Sequence, residues 1–92
     1  MTREEVLAWL HSRRPAPPPT LRDRLDRAVQ QLRPAPRSQL PTYLAQLGST
    51  LLDGVVDKPN GGRELALDLL AADAFATYAF EAQAEGGSTH ET

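Results

Sequence analysis

The segment from Leu65 to Phe80, LALDLLAADAFATYAF, contains no glycine or proline and is apolar on nearly every side of its helical wheel. A helix of that kind needs protein around most of its circumference. The rest of a 92-residue chain offers only three shorter amphipathic segments, which directs the long helix toward a partner, most simply a second copy. The expected fold is all-α: a small four-helix domain with a long C-terminal helical hairpin that oligomerisation completes.

The composition fits one globular domain with a thin core, at 40% hydrophobic and 24% charged residues. Cysteine is absent, so neither a disulfide nor a zinc–thiolate site can staple the chain, and stability falls to packing and association. The N-terminus places Arg3, Glu4 and Glu5 where a secretory signal would need an unbroken apolar run. The run from Leu65 to Phe80 is too short to span a bilayer and carries Asp68 and Asp73, each costly in hydrocarbon. The expectation is a cytoplasmic protein without a membrane partner.

Four helices are predicted, over about 2–13, 20–33, 38–57 and 62–85. Thr2 and Glu5 form a capping-box pattern ahead of Val6, Leu7, Trp9 and Leu10. Pro15 to Pro19 is an extended spacer, because each proline fixes its own φ and disfavours helix in the residue before it. Thr20 is the expected cap of the second helix, whose stripe is Leu21, Leu25, Ala28, Val29 and Leu32. Pro34 and Pro36 stop it. Ser38 is the expected start of the third, with Pro41 tolerated in the first turn and a stripe of Leu40, Leu44, Leu47, Leu51 and Val55.

Lys58-Pro59-Asn60-Gly61-Gly62 is turn chemistry, and a short turn between two long helices makes them antiparallel neighbours. Residues 1–85 then form a single helical domain, and 86–92 a flexible polar tail. Arg14-Pro15-Ala16-Pro17 recurs as Arg33-Pro34-Ala35-Pro36, but the flanking apolar positions match only in part, so duplication is not the favoured explanation. Pro15 and Pro18 satisfy PxxP without an arginine in either usual register, and read as a helix-stopping spacer.

Charge divides the chain. Residues 1–37 hold eight arginines against four acids, and the remainder two bases against eight acids, so the parts carry +4 and −6 within a net charge of −2. Such a division arises when the parts attract each other, when the basic part meets an acidic partner, or when both faces are simply solvated, which is the default. Arg13, Arg14, Arg22, Arg24, Arg27 and Arg33 form the candidate basic patch. Nucleic acid is disfavoured by a pI near 5.6, the interleaved Asp23 and Asp26, and the absence of a helix-turn-helix or zinc motif.

Carboxylates supply the only arrangement resembling an active site. Asp53 and Asp57 lie one turn apart before the predicted reversal and Glu64 and Asp68 one turn apart after it, so all four can converge at one end of the hairpin around a hard cation. Paired acids at a polar turn are more often solvated helix ends, and no metal or cofactor is expected. His11 and His90 have no triad or ligand partner at a meaningful spacing. Asn60-Gly61-Gly62 lacks the preceding strand and following Lys-Ser/Thr of a phosphate loop. Asp73 stands about 140° from Asp68 on the wheel, so a single solvent stripe does not serve both. Either the helix has two exposed edges, the favoured case, or Asp73 is shielded by hydrogen bonds or an N-terminal arginine.

Eight alanines between Ala66 and Ala84 combine helix propensity with close approach but contribute little area each. At ~25 cal/mol per Å², a further ~800 Å² of apolar interface per subunit is a large gross term before association costs. The leading functional expectation is therefore a non-enzymatic helical interaction or assembly module, homo-oligomeric through its third and fourth helices or binding a helical protein partner. Its candidate interface residues are Leu47, Leu51, Val55, Leu69, Leu70, Phe75, Tyr78 and Phe80. The alternatives are a divalent-metal-dependent helical hydrolase acting through the acidic turn, and a nucleic-acid-binding protein acting through the arginine-rich part.

Overall fold

A computed structural model describes residues 1–57 and 62–90, with side chains described through Gly86. Four helices follow in order: α1, Arg3–His11; α2, Pro19–Gln31; α3, Leu40–Val56; and α4, Arg63–His90. Among the described residues there is no strand, so the all-helical expectation holds.

The helix boundaries follow local chemistry. Thr2 closes the expected capping box: its Oγ1 accepts from the Glu5 N–H at 3.1 Å, and its own N–H donates to Glu5 Oε1 at 3.3 Å. The predicted cap at Thr20 is replaced by Pro18, in polyproline geometry at φ −57°, ψ 151°, with Pro19 opening α2. Proline suits that first position because its missing N–H would have no helical partner and its φ is already helical. Similarly α3 begins at Leu40 behind Gln39, without a side-chain cap, and not at Ser38, whose N–H instead closes a turn onto the Ala35 carbonyl at 3.0 Å. Gly62 precedes α4 at φ +113°, a conformation open to glycine and strained for any side chain. The α4 backbone continues to His90, five residues beyond the expected end at Glu85. The turn residues Lys58 to Gly61 and the last residues, Glu91 and Thr92, lie outside the described part.

The core draws on every helix. Val6 and Leu10 of α1, Leu25, Ala28 and Val29 of α2, Tyr43, Leu44, Leu47 and Leu51 of α3, and Ala71, Ala72, Phe75 and Ala82 of α4 are buried together. The α3–α4 packing is the most extensive in the molecule, with α2 laid on α4 and α1 on α2. Gly48 is what permits the close α3–α4 approach: a Cβ there would stand 3.2 Å from the Ala72 carbonyl oxygen and 3.5 Å from the Phe75 Cβ. Tyr43, buried on α3, donates its hydroxyl to the Leu32 carbonyl just past the end of α2, giving that group a partner where the helix stops. Burial raises the Tyr43 phenol pKa, and the nearby Arg3 guanidinium opposes the rise.

No helix among the described residues is long and apolar enough to cross a membrane.

Candidate functional site

The basic part of the chain is held to the acidic part by specific pairs. Arg24 of α2 donates from Nε to Asp68 Oδ1 of α4 at 2.7 Å, in a contact almost closed to solvent. Arg13, just beyond α1, donates from Nη1 to Glu85 Oε2 at 2.9 Å, lies 3.8 Å from Glu81, and stacks 3.9 Å above the Trp9 ring. Trp9 in turn donates its indole N–H to Glu85 Oε1 at 3.1 Å and meets Tyr78 edge-on at 6.0 Å. Hydrogen bonds from Arg13 and then Trp9 hold the Glu85 carboxyl below the usual glutamate range. Burial pushes the Tyr78 phenol up, aided by Glu81 and opposed by Arg13.

These pairs dismantle the predicted basic patch as a single surface. Arg13 and Arg24 are turned inward onto α4, and Arg14 folds back to donate to the carbonyls of His11 and Arg13. Arg22, Arg27 and Arg33 are exposed. The predicted acidic cluster separates likewise. Asp53, Asp57 and Glu64 are exposed, whereas Asp68 is buried against α2, and no group of three His, Cys, Asp or Glu among the described residues could hold a metal ion. Asp73 is exposed, as expected, but the expected second exposed edge is not found at Asp68, which is the shielded acid of the pair. His11, for which the sequence offered no partner, has its Nε2 2.9 and 3.0 Å from the two Asp26 carboxylate oxygens. That pair joins α1 to α2 across fifteen residues of sequence, a separation no local spacing rule covers.

An apolar groove runs between α3 and α4. It encloses about 640 Å³ and is lined by Pro41, Thr42, Ala45, Gly48, Ser49, Leu52, Ala72, Ala76, Ala79, Phe80 and Gln83, none of them charged. Its floor is low because Gly48, Ala45, Ala72 and Ala76 project no further than a methyl group. Phe80 is 79% exposed at its edge, and Leu52 is roughly half exposed. The same helix faces continue the apolar stripe past the groove: Val56, one turn beyond Leu52, is 82% exposed, and Leu69, one turn before Asp73, is roughly half exposed. Leu70 is also exposed but projects about 100° away from Leu69.

Of the candidate interface residues, Leu69, Leu70 and Phe80 are therefore at the surface. Leu47, Leu51 and Phe75 are consumed by the chain's own core and are not available to a partner. Val55 is half-buried, and Tyr78 is occupied by Trp9. Leu52 and Val56 are the exposed residues that sequence reasoning missed, while Ala76 and Gly48 stood outside the candidate interface set as small residues suited to close helix approach. The doublets Leu51-Leu52 and Val55-Val56 offer two apolar positions 100° apart, and the stripe of smooth three-and-four spacing went to the core.

The chain matches no family model, no curated protein and no solved structure. Its own geometry carries the functional reading.

Proposed function

We propose that this protein is a non-enzymatic helical interaction or assembly module in the cytoplasm, homo-oligomeric through a long α3–α4 hairpin. The observation that carries the reading is the uncharged, small-residue groove flanked by exposed Phe80, Leu52, Val56 and Leu69. Isolated apolar side chains are ordinary on any surface, whereas a continuous apolar strip along two packed helices is characteristic of a protein interface. The strip has the form that receives helices: small residues let a second backbone approach, and large residues at the rim interdigitate with it. Of the residues the other two expectations use, Arg13, Arg24 and Asp68 join α1 and α2 to α4, while Arg22, Arg27, Arg33, Asp53, Asp57 and Glu64 are exposed.

Light scattering after size exclusion, run across micromolar concentrations, tests the proposal. A mass above that of one 10.1 kDa chain, rising with concentration, supports it. A single-chain mass throughout counts directly against it.

A further inference from the structure

We draw no further inference here: the strongest candidate, the uncharged apolar groove between α3 and α4 beside exposed Phe80 and Leu52, belongs to the site already described, and nothing in the structure shows what covers it.

Discussion

Arg24 and Asp68 meet at 2.7 Å across the α2–α4 contact with side chains 11% and 5% exposed, which makes this pair the most deeply buried charge interaction described in the protein. Removing one member leaves the other ionised in a site built for a pair, at a cost of about 3–5 kcal/mol. Asp68→Asn and Arg24→Met are each expected to lower unfolding stability by an amount in that range. The double variant Arg24→Met/Asp68→Asn should lose distinctly less than the two singles combined. Urea denaturation of the four proteins closes the cycle, and strictly additive losses would remove the coupling assigned to the pair.

Gly48 and Gly54 lie in the same helix and make opposite predictions. Around Gly54 no atom lies within 4 Å of an added Cβ, so Gly54→Ala gains helix propensity and should stabilise by about 0.5–1 kcal/mol. At Gly48 the added methyl meets the Ala72 carbonyl oxygen at 3.2 Å, and backbone in a packed helix does not give way freely. Gly48→Ala is expected to show no such gain, and Gly48→Leu to cost about 1–3 kcal/mol through overpacking. Thermal melts of the three variants suffice, and a stabilising Gly48→Leu would contradict the close α3–α4 approach.

Much of this fold was legible because its punctuation is local. The capping box of Thr2 and Glu5 and the prolines flanking α2 bracket helices through short-range chemistry, and the prolines moved their starts by only one or two residues. Which face each helix buries was harder to read. Leu51-Leu52, Val55-Val56 and Leu69-Leu70 are adjacent apolar pairs, and a wheel alone does not say which member turns inward. Choosing Leu51 and Val55 for a partner therefore missed Leu52 and Val56, which are the exposed members. The wheel did show that Asp68 and Asp73 cannot share one solvent stripe. Which acid is shielded depends on where α2 lies, a long-range fact set by the Arg24 contact. The charge division between the two parts of the chain was visible in the same way, and its use in tying α1 and α2 to α4 became visible only in three dimensions.

Docking of α1 should respond to acid through Glu85. Because hydrogen bonds from Arg13 and Trp9 lower its folded pKa, their stabilising effect is complete above the usual glutamate range and is lost as the pH falls through the lowered folded value. Trp9 is the only indole in the chain, so its fluorescence reports the change directly. The expected outcome is a shift of Trp9 emission toward that of an exposed indole on acidification below the usual glutamate range. Glu85→Gln should show altered emission already at neutral pH and a smaller acid response. An acid transition of unchanged size in Glu85→Gln would assign it to other carboxylates.

Salt distinguishes a second copy from a basic partner helix on the α3–α4 face. The groove lining is uncharged, and exposed Asp53 and Asp73 on the same two helices, with Asp57 at the end of α3, belong to the part of the chain that carries the acidic excess. Two copies bring the same sign together, and added electrolyte screens that repulsion over ~10 Å at 0.1 M and ~3 Å at 1 M while leaving apolar burial in place. Self-association is therefore expected to tighten as sodium chloride is raised from about 0.05 M toward 1 M, the range over which screening becomes complete. A basic helix attracted to the same acids would do the reverse, because screening would remove its steering and its rim pairs. Sedimentation equilibrium at several salt concentrations reads the direction. A dissociation constant that climbs with salt would place cations opposite this face and exclude an identical acidic surface as its occupant.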